Sequence, residues 1–583
     1  MPTSLNATSE LRSSFTQSHF GGNFLFHRDS LDGGGSYEEL AEDLGLTTVR
    51  FPGGSVTEEY FDIKNPNNTH AMNAQTGEPV NLIPLDRWLE MAGELDISTT
   101  IVVPTKNFLS DEVDENGNRY AEFDRDALHD FVSDIVQGVH GDGKVAAFEI
   151  GNEYWGSGQM SAVEYGRLAS EMSSVIDEAL DESQAMGFET ENIDIVVQAG
   201  TNFSYSSLSN DYTDFDSSEE ILEMLSEEYD FDFSQGFTFS GGDINWTKVN
   251  NQLIMQEFDD DEINAIDGVA THVYTRGENQ PGMRDFSTKL IEDTWGQTRE
   301  GLDTYVTEWN LKSTSSLDDE SDYGLHQAHE LLEIVEQFPE HGVEAAYAWP
   351  ILQNTRNAFS LGSDHDELTV SGEMFRMMGD TLPGNRPIDL IGSGSEETEL
   401  STPDVDVHAF GNPNELVLFL TSQSSDVTSS DFDLNGLMTG GENISVTYLG
   451  VEDGDAPGSR YAKPDVEEAS ASEINEEIFR DGVLHADLDA LEVMMVVISQ
   501  PDWSSEMETY WEAVSAVEEE FGEVGGVYDA EDLIASLSLS PDEDPPVVEP
   551  VPEDPVDEEV AGDGGMGIAA VLLGLLPILA LAL

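Results

Sequence analysis

Between Phe20 and about Pro350, short apolar runs rich in β-branched residues alternate with longer stretches whose apolar positions recur at helical spacing. This is the pattern of repeated βα units. Eight runs read as strands: Gly22 to Phe26, Thr47 to Phe51, Ile97 to Val103, Val145 to Ile150, Ile193 to Gln198, Gly268 to Val273, Thr304 to Thr307 and Ala345 to Trp349. Helical stretches fall between most of them, at Tyr37 to Leu44, Leu85 to Leu95, Arg125 to Val139, Ala162 to Leu180 and Tyr323 to Phe338. The fold class is therefore α/β, a closed (β/α)8 TIM barrel over 20–360. The rival open doubly wound sheet lacks a G-x-G-x-x-G turn after its first strand.

Beyond that point the helical period gives way to alternating runs separated by Gly, Asn, Asp and Ser, as in Val405 to Phe410, Glu415 to Thr421, Ile444 to Leu449 and Glu492 to Ser499. They predict an all-β sandwich over 361–500. Over 501–563 the pattern predicts an acidic helix, Trp503 to Phe521, followed by a Pro/Asp/Glu-rich stalk. The last segment, 564–583, contains an uncharged apolar run from Met566 to Leu583. As a helix it would span about 27 Å, just enough to cross a bilayer. The opening segment, 1–19, is polar and shows no signal-peptide pattern. Membrane attachment through the C-terminus, with the barrel facing the cell exterior, is the expectation; a buried C-terminal helix is the alternative. No lysine or arginine flanks the run, so charge gives no orientation. No repeat of fixed period is present.

Charge changes the picture next. The chain has 583 residues, 119 of them acidic and 22 basic, for a net charge of −97. Such a surface repels phosphate backbones and anionic headgroups, which excludes nucleic acid as a natural partner. Because its acids are spread along segments with regular apolar patterns, the chain reads as a salt-adapted, halophilic protein rather than a disordered one. The absence of cysteine excludes disulfides, thiolate metal sites and a cysteine nucleophile.

Reactive groups of a TIM barrel sit at the C-terminal ends of its strands. The fourth run ends in Gly151-Asn152-Glu153-Tyr154-Trp155 and the seventh in Glu308-Trp309-Asn310. Two carboxylates on different strands, facing across the mouth, are what glycoside hydrolysis needs: one attacks the anomeric carbon and the other protonates the departing oxygen. Trp155, Trp309 and Trp349 fall at strand ends, where indole faces can stack on sugar rings. The sixth run ends His272-Val273-Tyr274, offering a direct substrate contact from His272 and a phenol from Tyr274 to hold a carboxylate. The second ends Arg50-Phe51-Pro52-Gly53-Gly54, with an always-charged Arg50.

The segments Phe148-Glu149-Ile150-Gly151-Asn152-Glu153 and Thr307-Glu308-Trp309-Asn310, with Arg50-Phe51-Pro52-Gly53-Gly54 upstream, resemble the clan A retaining glycoside hydrolases. Within that clan they look most like the α-L-arabinofuranosidase, β-xylosidase and heparanase-like families. The resemblance runs over roughly residues 20 to 500. It implies Glu153 as general acid/base, Glu308 as nucleophile, Asn152 as ligand of the neighbouring sugar hydroxyl, and Arg50 and Tyr274 as supports of Glu308. It implies a carbohydrate substrate but does not decide the sugar. A non-catalytic carbohydrate-binding surface protein on the same barrel is the alternative.

The proposed chemistry needs no cofactor. Glu112 to Gly117 imitates the start of a calcium loop, but Phe123 stands where the bidentate glutamate would be, so it reads as a solvated loop. Asp259 to Glu262 reads as a surface acidic run, and no metal ligands are assigned. Phosphate-loop, serine-elbow and H-E-x-x-H motifs are absent.

Overall fold

In the computed structural model the eight runs form one closed barrel of parallel strands. They are β1 (Gly21–Asn23), β2 (Thr48–Phe51), β3 (Ser98–Val103), β4 (Lys144–Ile150), β5 (Asp194–Gln198), β6 (Gly268–Thr275), β7 (Asp303–Leu311) and β8 (Val343–Ala348). The structure describes residues 2–521, 528 and 529, apart from 32–35, 216, 278–279, 300, 354, 361–366, 393–397 and 481. The stalk and the apolar run Met566 to Leu583 lie outside the described residues. Among the described residues no helix is long and apolar enough to cross a membrane.

The outer layer includes α1 (Tyr37–Asp43), α2 (Val56–Tyr60), α3 (Leu85–Glu94), α4 (Arg125–Val136), α5 (Ala162–Met186), α6 (Trp246–Met255), α7 (Phe286–Ile291), α8 (Leu325–Glu336) and α9 (Val370–Thr381). The start of α5 follows from its sequence: Ser161 accepts from the Glu164 backbone and Glu164 reaches back, a capping box that satisfies two free N–H groups. Its end is set by Gly187 at φ +100°, a conformation that costs glycine least. Helix α9, which the alternating pattern after Pro350 does not predict, packs Phe375 against Phe20, Trp309 and Phe359.

The barrel interior changes character along its axis. Ala147, Val196, Ala270, Tyr305, Ala345 and Tyr347 form one buried cluster, small residues filled in by two tyrosines. Farther along the same strands the interior turns polar, with buried Arg50, Glu149, Gln198 and Glu308. One part of the barrel is thus plugged and another part carries charge.

The second unit is all-β. Its larger sheet holds β9 (Val405–Asn412), β10 (Glu415–Ser422), β12 (Met438–Val451), β13 (Pro464–Glu468) and β15 (Val493–Trp503); its smaller sheet holds β11 (Thr428–Asp433) and β14 (Val483–Leu488). In β10 the alternation splits two ways. Leu416, Leu418 and Leu420 join the sandwich core, while Val417 and Phe419 join the barrel's core. A strand covered on both faces reads as a continuous apolar run. The N-terminal residues also join this unit: Thr3–Ser4 pairs with β11, and Leu5 and Leu11 are in the sandwich core. Helix α10 (Ser505–Phe521) follows β15, with Met507, Trp511 and Val514 buried against the same core.

Candidate active site

Register brings the polar groups together. Between β6 and β7 the pairing shifts at Thr271/His272, after which His272 lies opposite Glu308 and Tyr274 opposite Asn310. Tyr274 Oη donates to Glu308 Oε2 at 2.7 Å. From β2, Arg50 Nη1 donates to Glu308 Oε1 at 3.1 Å. Both oxygens of Glu308 are therefore held by donors from different strands, and its side chain is only 6% exposed.

Arg50 is completely buried and uses every arm of its guanidinium. Nε and Nη2 meet the Glu149 carboxylate at 2.5 and 3.0 Å, Nη2 also reaches Asn152 Oδ1 at 2.9 Å, and Nη1 reaches Asn23 Oδ1 at 3.1 Å. Burial works against the Arg50 charge, but Glu149 and then Glu308 outweigh it, so the guanidinium's pKa lies above its ordinary value. Glu149 accepts further bonds from Gln198 and Thr307, each at 3.2 Å.

Glu153 comes from the loop after β4. Gly151 at φ +83° and Glu153 at φ +44° turn that loop sharply. A non-glycine residue held left-handed costs about 1–2 kcal/mol, and such strain concentrates at functional sites. The neighbouring Asn152 is fixed by its backbone N–H, which donates to buried Glu58 Oε1 at 2.9 Å. Glu58, on α2, also accepts from the Thr105 and Lys106 amides at 2.8 and 2.7 Å and from Thr105 Oγ1 at 3.1 Å. Burial raises the Glu58 pKa, while these four donors pull it down. One carboxylate thus ties the loop after β3 to the loop after β4.

His272 links the two acids. Its Nδ1 lies 3.6 Å from Glu153 Oε1 and 3.6 Å from Glu308 Oε2. Those oxygens are therefore at most about 7 Å apart, a bound that admits the roughly 5–5.5 Å carboxyl separation of retaining glycosidases. Neither His272 nitrogen has a hydrogen-bond partner. Burial lowers the pKa of the ring, but Glu308 and Glu153 more than compensate, leaving it raised. For Tyr274, burial and then Glu308 push the phenol well above its usual value. The two acids differ in exposure, with the Glu153 side chain 36% accessible against 6% for Glu308.

The aromatic expectations divide. Trp155 is half-buried and meets His272 edge-on at 5.8 Å between ring centroids. Trp349, also half-buried, lies over Gly53 and Gly54, where a Cβ on Gly54 would collide with the indole. Trp309 does not line the mouth. Consecutive strand residues point to opposite faces, so with Glu308 facing inward Trp309 is fully buried against Phe338 and Phe375 in the layer between barrel and helices.

Sequence reasoning did not assign Glu149, Glu58, Gln198 or Asn23. A signal for Glu149 was present: a charged residue inside a run of buried strand residues demands an equally buried partner, and Arg50 sits in just such a run. The imitation calcium loop is a turn in which Asp114 Oδ1 accepts from the Asn116 and Asn118 amides, both at 2.9 Å, while its Oδ2 pairs with Arg167 at 2.7 Å. Asp259 caps a short helix, accepting from the Asp261 and Glu262 amides.

Among the described residues one buried group, Glu336, Glu399 and His408, offers metal-type ligand atoms all within 4.8 Å of one another. It lies where α8 meets β9. His408 Nδ1 is 2.8 Å from Glu336 Oε2, and the Thr398 hydroxyl donates to the other oxygen of Glu336.

No family model matches the chain, and no curated protein matches it. Solved structures do. The family 51 α-L-arabinofuranosidase AbfB from Bifidobacterium longum superposes with a TM-score of 0.55 at 13% identity, over 85% of this chain and 99% of the other. The thermostable α-L-arabinofuranosidase of the same family from Thermotoga petrophila RKU-1 gives 0.54 at 13% identity, over 85% and 98%. CelM2, a bifunctional glucanase-xylanase from a metagenome library, gives 0.51 at 12% identity, over 85% and 98%. At such identities the likeness is one of fold: this chain has the barrel-plus-sandwich architecture of these arabinofuranosidases and this glucanase-xylanase.

Proposed function

We propose that the protein is a retaining glycoside hydrolase in which Glu308 is the nucleophile and Glu153 the acid/base. The observation that carries this reading is the pair of 3.6 Å contacts from His272 Nδ1 to the two acids, which bounds their separation. In the first step a Glu308 oxygen bonds to the anomeric carbon, the bond to the leaving oxygen breaks, and Glu153 gives that oxygen its proton. In the second, Glu153 takes a proton from water, whose oxygen bonds to the anomeric carbon as the Glu308 ester breaks.

The difference in exposure suits these roles. A nucleophile benefits from fixed geometry, which Arg50 and Tyr274 supply. An acid/base must exchange its proton with water, which the more open Glu153 allows. Asn152, oriented by Arg50 and Glu58, is placed to bind a sugar hydroxyl, and His272 sits between the two acids with both ring nitrogens buried and unpartnered. Trp155 and Trp349 are placed to pack on ring faces. The fold shared with arabinofuranosidases and a glucanase-xylanase supports a plant-type polysaccharide, or oligosaccharides released from one, as substrate. The intact set of Glu153, Glu308, Arg50 and Tyr274 argues for turnover over binding alone.

The test is hydrolysis of aryl arabinofuranosides, xylosides and glucosides at high salt by the intact protein, Glu308→Ala and Glu153→Ala. Loss of activity in both variants, with azide restoring turnover in them, is expected. Unchanged rates in either variant reject the assignment, as does a first-formed product of inverted configuration.

A further inference from the structure

Where the ladder between β4 and β5 ends, side chains take over from backbone. The paired residues run from Ala147 and Asp194 to Glu149 and Val196. Beyond them the Tyr165 hydroxyl, from α5, accepts from the Gln198 amide and donates to the Ile150 carbonyl, both at 2.7 Å. Gln198 is the last residue of β5 and is buried. Its side chain reaches across to the loop that carries Glu153.

Both ends of that side-chain amide are used. Oε1 accepts from the Tyr154 N–H at 3.1 Å, while Nε2 donates to the Gly151 carbonyl at 3.1 Å and to Glu149 Oε1 at 3.2 Å. Turning the amide over would set its oxygen against a carbonyl and a carboxylate, and its NH2 against an N–H, so one orientation is fixed. The two peptide groups it holds, Gly151-Asn152 and Glu153-Tyr154, flank the Asn152-Glu153 pair. Their other ends are tied as well: the Asn152 N–H donates to Glu58 at 2.9 Å, and the Glu153 carbonyl accepts from the Gly156 amide at 2.7 Å. Glu153 at φ +44° lies between these two held planes, and a conformation of that kind persists only where its surroundings over-determine it. The third partner, Glu149, is the carboxylate that meets Arg50, and Arg50 reaches Glu308. The same amide is thereby joined to the support of the nucleophile.

We infer that Gln198 is a positioning residue for acid catalysis: it aims Glu153 at the leaving oxygen by fixing the peptide planes on either side of the Asn152-Glu153 pair, and so decides how poor a leaving group the protein can expel. The inference rests on the glycosidase reading. Gln198 acts through Glu153 rather than on the substrate. A sugar alkoxide or a phenolate needs the proton of Glu153 to depart, whereas a dinitrophenolate leaves without it.

The test compares kcat/KM of the full-length protein and its variants on two aryl glycosides of the sugar that the intact protein cleaves fastest, one releasing phenol and one dinitrophenol. Gln198→Leu keeps the bulk and removes all three bonds. Its kcat/KM should fall about ten-fold or more on the phenyl glycoside and change by less than about two-fold on the dinitrophenyl one. On the latter, azide, which attacks the ester without a base, should speed turnover by the variant but not by the intact protein.

Gln198→Glu adds a pH readout that a merely structural role would not move. The new carboxyl faces Glu149, which raises its pKa. Protonated, it donates to Glu149 and still accepts from Tyr154; ionised, it repels Glu149 and offers the loop no donor. Activity on the phenyl glycoside should therefore stay near that of the intact protein at about pH 5 and drop below it as the pH rises to about 8. This comparison is made within one folded protein, so it decides the matter if Gln198→Leu does not fold.

Equal losses on both glycosides, no loss on either, or a Gln198→Glu profile that parallels that of the intact protein overturns the role of Gln198 and leaves the glycosidase reading standing. Absence of hydrolysis of every glycoside by the intact protein overturns that reading, and the inference with it.

Discussion

Glu58→Gln tests whether the loop that carries Glu153 is held in place from a distance. The carboxylate is fully buried and accepts four hydrogen bonds, two per oxygen: Asn152 N and Thr105 Oγ1 on Oε1, Thr105 N and Lys106 N on Oε2. An amide has one oxygen, so in either orientation its NH2 faces at least one backbone N–H that has no other role for it. Losing two bonds and leaving buried donors unsatisfied costs about 1–3 kcal/mol per donor. Removing a buried charge offsets part of this, for a net loss of about 2–4 kcal/mol. The damage should be local. Amide hydrogen exchange should quicken at Thr105, Lys106 and Asn152 while that of Ile101 and Phe148, inside β3 and β4, stays slow. Glycoside hydrolysis should fall about ten-fold or more as Glu153 loses its fixed approach. Unchanged exchange at the three amides together with unchanged kcat/KM would refute the reasoning.

Truncating the two tryptophans separates packing from binding: Trp309→Ala should lose about 3–5 kcal/mol of stability in urea titration, whereas Trp349→Ala should chiefly raise KM. Burial works against the His408 charge, but Glu336 outweighs it and pushes the ring's pKa up to about 10, above the unfolded value near 6.5. The stability this gives is complete below about pH 6.5 and is lost as pH rises through about 10. Glu333, facing the same ring and pushed up to about 7 chiefly by burial, works in the same direction, and His408→Gln should flatten the alkaline side of a stability–pH curve. For the whole chain, moving from 0.1 M to 3 M KCl should raise the thermal midpoint, since a few kcal/mol of relieved repulsion corresponds to about two to four degrees in a chain of 583 residues; a midpoint that falls would contradict salt adaptation.

The barrel was legible because its strands are buried on both faces, which leaves apolar runs that periodicity finds; β4, expected from Val145 to Ile150, is observed as Lys144–Ile150. Helix α9 was not legible, since its apolar face packs partly on residues remote in sequence, such as Phe20, and a period-two reading had already claimed the region. Glu308 and Glu153 were legible from the residue that follows each apolar run. Their supports were not, because a buried carboxylate such as Glu58 is recognised by the backbone amides it accepts from, and those lie on loops 47 and 94 positions away. Trp309 misled for a related reason. A strand end offers two faces, and with Glu308 turned inward the alternation of the strand turns Trp309 outward against Phe338 and Phe375.

Glu149 gives the site its electrical logic. Were Glu308 the only anion facing Arg50, forming a bond between Glu308 and the sugar would leave a guanidinium buried without a counter-charge, and breaking a buried pair in this way costs about 3–5 kcal/mol. Arg50 instead makes its shortest contact with Glu149, at 2.5 Å, and only a 3.1 Å bond with Glu308. Glu149 is held in turn by Gln198 and Thr307 and takes no part in the bond changes. On the proposed mechanism the charge of Arg50 is therefore already balanced when Glu308 gives up its own. The positive group can orient the nucleophile without depending on its charge, and neither step of a double displacement has to strand a cation inside the barrel.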